Sequence, residues 1–131
     1  MPLIFAYGTL CSEKVQRILF EKTLKSTDYI LNNHTVCRCD DGFYTVKPKQ
    51  GCSVAGKMLS ISDEDILIAD EWELVPLYEK KQMQDNGRAF FFYIRSDMAD
   101  ITEEGANGIS DYEEDDLLEI VRDFMAQRHS R

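Results

Sequence analysis

At 131 residues, with 44% hydrophobic and 30% charged residues, the chain has the make-up of one soluble globular domain (residues 1–131) able to bury a real core. Its formal net charge of −9 argues against nucleic acid or an anionic membrane as the main partner, since both need a basic surface. A small anionic ligand in a locally favourable pocket stays open. No apolar run is long enough to span a bilayer, and Met1-Pro2 leads directly into a strand rather than a signal peptide, so a cytoplasmic location is expected.

The first predicted element is a strand, Leu3-Ile4-Phe5-Ala6-Tyr7, which breaks at Gly8 and passes through Thr9-Leu10-Cys11-Ser12 into a helix. Such a junction leaves backbone N–H groups pointing one way, where they can hold a carboxylate or phosphate, and glycine lets a ligand approach the main chain. Many strand-to-helix turns with a glycine bind nothing, so the turn alone decides little. Helix one is predicted from the N-cap Ser12 to about Leu24, with Val15, Ile18 and Leu19 as its apolar stripe. Short strands follow at Tyr29 to Leu31, Thr35 to Arg38, Phe43 to Val46 and Val54 to Ser60. Asp40-Asp41-Gly42 forms a turn between them, and Lys47 to Gly51 a polar loop.

A second helix opens at Ser62, with Asp63, Glu64 and Asp65 in its first turn, and ends before Pro76. Strands at Tyr78 to Gln84 and Ala89 to Arg95 flank Asp85-Asn86-Gly87-Arg88, an Asn-Gly hairpin signal. Ser96 to Ile109 reads as a surface loop. The last helix starts at Ser110 with Glu113 completing a capping box, and buries Leu117, Ile120, Val121 and Phe124. The total is an α+β chain of six or seven short strands and three helices.

Four cysteines, Cys11, Cys37, Cys39 and Cys52, are expected as reduced thiols in a cytosolic chain. Cys37-Arg38-Cys39 with His34 nearby raises zinc. Its spacing is shorter than the usual ligand pair and no second pair follows, so alternate cysteines on a strand are favoured and no metal is expected.

Asp70-Glu71-Trp72-Glu73 is the second notable stretch. At about 100° per residue from Ile66, Asp70 falls near 40° and Glu73 within about 20°, so a helix reaching that far turns both carboxylates toward the apolar stripe. Burial and the negative end of the helix dipole would then raise the pKa of Glu73, suiting it to proton transfer near neutral pH. If the helix instead stops at Asp70, Glu71 and Glu73 are solvated loop charges.

Tyr7-Gly8-Thr9-Leu10 on an N-terminal strand, Gly56-Lys57-Met58-Leu59 before an acidic-capped helix, and Asp70-Glu71-Trp72-Glu73 followed by Tyr78 resemble the gamma-glutamylcyclotransferase-like family over residues 3 to 95. The resemblance implies a small mixed β-barrel with helices packed around it. It also implies a cofactor-free reaction in which the α-amine of a γ-glutamyl amine or γ-glutamyl amino acid attacks its own γ-carbonyl, giving 5-oxoproline and a free amine. Glu73 matches the family's catalytic glutamate, and the backbone of Tyr7, Gly8, Thr9 and Leu10 would bind the substrate α-carboxylate. Tyr78 is a candidate for steadying the oxyanion, or a ring filling the barrel, and Tyr7 carries the same ambiguity.

The chain departs from the family pattern at Lys80, where arginine is common, and at Gly42 to Val46, which lacks a usual proline. The alternative reading is a non-catalytic binding module of the same fold that senses a small acidic metabolite or a protein partner. A monomer or weak homodimer is expected. The leaving amine is set by residues 40 to 53 and 96 to 109, whose sequence does not identify it.

Overall fold

The computed structural model describes residues 2–39, 44–73, 78–85, 87–95, 101–104 and 114–129. Strand β1 (Leu3–Ala6) is followed by a 3₁₀ turn (Thr9–Cys11) and helix α1 (Glu13–Phe20). Strands β2 (Ser26–Cys39) and β3 (Tyr44–Ser60) lead to α2 (Asp63–Trp72). Strands β4 (Tyr78–Asp85), β5 (Arg88–Arg95) and β6 (Ile101–Glu104) precede α3 (Glu114–His129). The six strands form one mixed sheet in the order β4-β5-β1-β3-β2-β6.

The first strand lies inside the sheet, antiparallel to β3 (Leu3 opposite Ser60, Ala6 opposite Lys57) and parallel to β5 (Ile4 opposite Phe91). Both β1 and β5 are covered on two sides, which explains why their sequences are nearly continuous apolar runs. On the helix-covered face Ile4, Ala6, Leu59, Phe91 and Tyr93 pack with Val15 and Leu19 of α1 and Leu117, Leu118 and Val121 of α3. On the opposite face Phe5, Leu31, Val36, Val46, Val54, Met58, Phe90 and Phe92 form a second core.

Among the described residues no helix packs on that second core; the sheet curls over it. Tyr29 of β2 hydrogen-bonds to the Asp85 carboxylate at the end of β4, and the Arg95 N–H of β5 donates to Thr45 Oγ1 of β3 at 3.1 Å. These side chains bring the two flanks together, but the backbone ladder does not close. The expected barrel is therefore an open, curled sheet.

Several predicted boundaries change. Helix α1 stops at Phe20 because Glu21 adopts a left-handed conformation (φ 61°). The predicted short strands merge into the two arms of one long hairpin, β2–β3. The expected polar loop Lys47 to Gly51 lies within β3, opposite a bulge between Asn32 and His34. There Asn33 takes φ 60°, Gly51 takes φ 85°, and the Gly51 N–H donates to Asn33 Oδ1 at 3.3 Å. The irregularity is accommodated inside the hairpin instead of ending it.

The predicted loop Ser96 to Ile109 contains β6, paired to the end of β2. The hairpin at Asp85–Arg88 forms as expected, with those two residues paired. The turn Asp40-Asp41-Gly42, Pro76, Gly105, Gly108 and the α3 cap Ser110 with Glu113 lie outside the described residues. Among the described residues, no helix is long and apolar enough to cross a membrane.

Candidate active site

The turn after β1 is anchored from three directions. Its 3₁₀ geometry is held by the Cys11 N–H donating to the Gly8 carbonyl at 3.0 Å and by the Ser12 N–H donating to that of Thr9 at 3.1 Å. Buried Gln16 of α1 donates through Nε2 to the Leu10 carbonyl at 2.8 Å and accepts the Leu24 N–H at 2.8 Å. On the sheet side, a Cβ at Gly56 would sit 2.3 Å from the Ala6 carbonyl oxygen and 2.8 Å from Phe5 Cζ. Only a glycine at position 56 lets β1 lie this close to β3 just before the turn. The Cys11 thiol donates to that same Ala6 carbonyl at 3.1 Å.

Helix α2 delivers the second half. Ser62 caps its start by accepting the Asp65 N–H at 3.1 Å, and three acidic residues sit in its first turn, where the dipole favours them. The helix runs through Trp72 and ends at Glu73, whose N–H still donates to the Ala69 carbonyl at 2.8 Å. The longer of the two predicted helices is the one formed. Trp72 Nε1 donates to Thr9 Oγ1 at 2.9 Å, which ties the end of α2 to the turn after β1.

Strand β5 adds a tyrosine. Alternation along Phe90-Phe91-Phe92-Tyr93 sends Phe91 and Tyr93 to the helix face, where the Tyr93 hydroxyl donates to Asp70 Oδ1 at 2.7 Å. The other Asp70 oxygen, Oδ2, pairs with Lys80 Nζ at 3.0 Å. Tyr7 fixes the backbone of the same strand, its hydroxyl donating to the Tyr93 carbonyl at 2.6 Å.

Glu73 is half-buried, and desolvation by the protein around it pushes its pKa from 4.5 up to about 7. The expected dipole contribution is not needed to account for this. Burial first, then the hydrogen bond to and charge of Asp70, then the charge of Glu73, hold the Tyr93 phenol far above its usual range. Tyr93 therefore stays a neutral hydroxyl wherever the protein is folded, within electrostatic reach of Glu73. Such a group cannot serve as a base, and its one proton is committed to Asp70.

The Trp72–Thr9 bond sets the end of α2, where Glu73 follows, against the turn Tyr7 to Leu10, in which the Leu10 side chain lies in the core and only its main chain is at the turn. Tyr78 is placed differently. Its hydroxyl donates to the Tyr44 carbonyl at 2.5 Å, and its ring lies 5.6 Å from the Arg95 guanidinium, bracing β4 against β3. The tyrosine beside Glu73 is Tyr93. The signal that identifies it is the period-two pattern of β5, in which Tyr93 is the polar-tipped aromatic on the helix face. Lys80 makes a one-nitrogen contact to Asp70 and lies 5.8 Å from the Phe91 ring centroid. No cluster of metal-ligating side chains occurs among the described residues.

An N-terminal strand between an antiparallel and a parallel neighbour, a glycine turn at its end, and a glutamate closing the following α2 define a cyclotransferase-like fold. The gamma-glutamyl cyclotransferase, AIG2-like family matches residues 4–114, and this chain belongs to that family. Comparison with curated proteins by sequence gives no match. Among solved structures, an uncharacterized protein from Pyrococcus horikoshii shares 13% identity at a TM-score of 0.63, covering 99% of this chain and 97% of that one. The protein ytfP from Escherichia coli shares 16% identity at 0.56, over 87% of this chain and 98% of that one. A structure described as a gamma-glutamyl cyclotransferase shares 14% identity at 0.56, over 79% and 69%.

Proposed function

We propose that the protein is a γ-glutamyl cyclotransferase, releasing 5-oxoproline and a free amine from a γ-glutamyl amine or γ-glutamyl amino acid, with Glu73 as general base and then general acid. The observation that carries this reading is the bond from Trp72 to Thr9, which sets the end of α2 against the turn after β1, with Glu73 next in the chain and its pKa raised by desolvation to about 7. A carboxyl that exchanges its proton near neutral pH can take one and return it with little penalty either way.

In this mechanism the substrate α-carboxylate lies against the main chain of Tyr7 to Leu10, which orients the α-ammonium toward Glu73. The Glu73 carboxylate removes one proton from the ammonium. The freed nitrogen lone pair attacks the γ-carbonyl carbon, forming the ring C–N bond and placing the carbonyl electron pair on oxygen. Collapse of that oxyanion breaks the bond to the leaving nitrogen, which takes the first proton back from Glu73; the ring nitrogen then gives up its second proton through Glu73 to the departing amine, leaving the neutral lactam and an alkylammonium. Water is neither consumed nor released, and no cofactor is required. Holding amine and carbonyl in register supplies much of the acceleration, because five-membered ring closure needs orientation above all. Tyr93 spends its one proton on Asp70 and so positions that carboxylate beside Glu73, and the oxyanion is left to a main-chain N–H donor.

The test is 5-oxoproline release from a panel of γ-glutamyl amino acids and γ-glutamylamines, γ-glutamyl-lysine included. At least one is turned over, and Glu73→Gln lowers its kcat/KM by about 10²–10⁴-fold with the circular dichroism spectrum unchanged. Silence across the panel, or an active Glu73→Gln variant, overturns the reading. Thermal stabilisation by 5-oxoproline without turnover would leave a binding module in its place.

A further inference from the structure

Helix α3 begins at Glu114, where the family match ends, so nearly all of it lies beyond that match. It nevertheless reaches the candidate site. Its buried residues Leu117, Leu118, Val121 and Met125 pack in the core shared with α1. Phe124 and Arg128, one helical turn apart and so on a common face, instead grip two consecutive residues of α2. The Phe124 ring stands edge-on to Trp72, with centroids 5.4 Å apart and planes at 77°. Arg128 Nε donates to Glu71 Oε2 at 2.9 Å. Trp72 in turn donates to Thr9 Oγ1, and the next residue is Glu73.

The geometry points to α3 as a brace for the active site, with Phe124 and Arg128 as positioning residues that fix Glu73 against the Thr9 turn by holding Trp72 and Glu71. This rests on the cyclotransferase reading for its catalytic consequence, though the bracing itself does not depend on it. The two grips are complementary. An edge-to-face ring pair sets the tilt of the Trp72 indole, and so where its N–H points; the ion pair pins the last turn of α2 along its axis. Neither residue touches the reacting atoms. A displacement of about 1 Å at such a support can cost about 10²-fold in rate, because ring closure depends on alignment.

The deciding measurement is the titration of the Glu73 carboxyl, followed by NMR in the full-length protein, with turnover read in parallel. Phe124→Ala should loosen the enclosure and lower the Glu73 midpoint by about one pH unit from its wild-type value near 7. It should also shift the emission of Trp72, the single tryptophan of the chain. Phe124→Tyr, which keeps the ring, should restore both. Val121→Ala, buried in the same helix but in the α1 core, should lower Tm while leaving the Glu73 midpoint in place. If Phe124→Ala unfolds the chain, the surface grip decides instead. Arg128→Glu should move the midpoint in the same direction by a smaller step, and the exchange Glu71→Arg with Arg128→Glu should return it.

A Glu73 midpoint unmoved by every folded brace variant, or moved equally by Val121→Ala, overturns the proposal. Turnover separates the two readings. With an active wild type, Phe124→Ala loses about 10–100-fold in kcat/KM. With an inactive wild type the cyclotransferase reading fails, and the titration still decides the brace.

Discussion

The two faces of the sheet are built from the same strands and do different things. On the curled face, residues of β1 and β5 such as Phe5, Phe90 and Phe92 meet other rings and aliphatic chains. Phe5 and Phe92 lie at 6.4 Å with planes at 90°, and even His34, edge-on to Phe92, buries an Nε2 that has no hydrogen-bond partner. One residue further along each strand, on the helix face, Tyr93 meets Asp70, and Asp70 meets Lys80. The reason is that helices do not tile a sheet completely. Helix α2 ends over β5 and the turn after β1, and its last residues fall where a carboxyl is half-buried and desolvated without becoming part of the apolar core. One face carries stability and the other combines stability with a titrating site.

The largest expected effect tests whether the faces are separable. Phe92 is fully buried, and Phe92→Ala should remove about 3–5 kcal/mol of unfolding free energy in denaturant titration. The Glu73 midpoint should nonetheless stay near 7. If the midpoint falls together with stability, the faces behave as one unit and the comparison breaks.

A smaller effect is the pH dependence that the helix face alone should impose. Folded Glu73 holds its proton up to about pH 7, whereas the unfolded chain releases it near 4.5, so between those values the folded state carries the extra proton. Stability from this residue therefore falls as pH rises from 4.5 to 7, and the full cost, at most about 3 kcal/mol, applies above 7. Glu73→Gln has no such cost. Its stability relative to wild type should be greater at pH 8 than at pH 4, and kcat/KM of the wild type should climb about tenfold per pH unit before levelling near 7. A stability difference that is flat with pH would mean the carboxyl is solvated.

The smallest expected effect is at the half-exposed end of the network. Lys80→Met removes an ion pair of the kind worth about 0.2–1 kcal/mol, so thermal unfolding should change little. Turnover should fall only a few-fold, because Tyr93 still holds Asp70. A large loss would move Lys80 into the chemistry.

What the sequence disclosed follows from how local each feature is. The turn Tyr7 to Leu10 is contiguous, and the inward phase of Glu73 depends only on helical periodicity, so both were readable along the chain. Tyr93 was not, because its meeting with Asp70 depends on which strands β1 lies between, and one of those pairings is parallel. The family resemblance singles out Tyr78 instead, whose hydroxyl holds β4 against β3. Pro48 and Gly51 give Lys47 to Gly51 the sequence pattern of a loop. Both are accommodated in a strand because the bulge at Asn33 gives the hairpin the local freedom those residues require.

The central position of β1 also bears on how the chain assembles. Strand β1 has its two neighbours about fifty and ninety residues further along the chain, and its contact with β5 is parallel. During synthesis an apolar segment, Leu3 to Tyr7, must therefore wait unpaired until β3 and then β5 have left the ribosome. Closure of the sheet is a late, long-range event, slow by the measure of sequence separation and open to aggregation in the interval. The turn that β1 positions takes its final place only when that last pairing is complete.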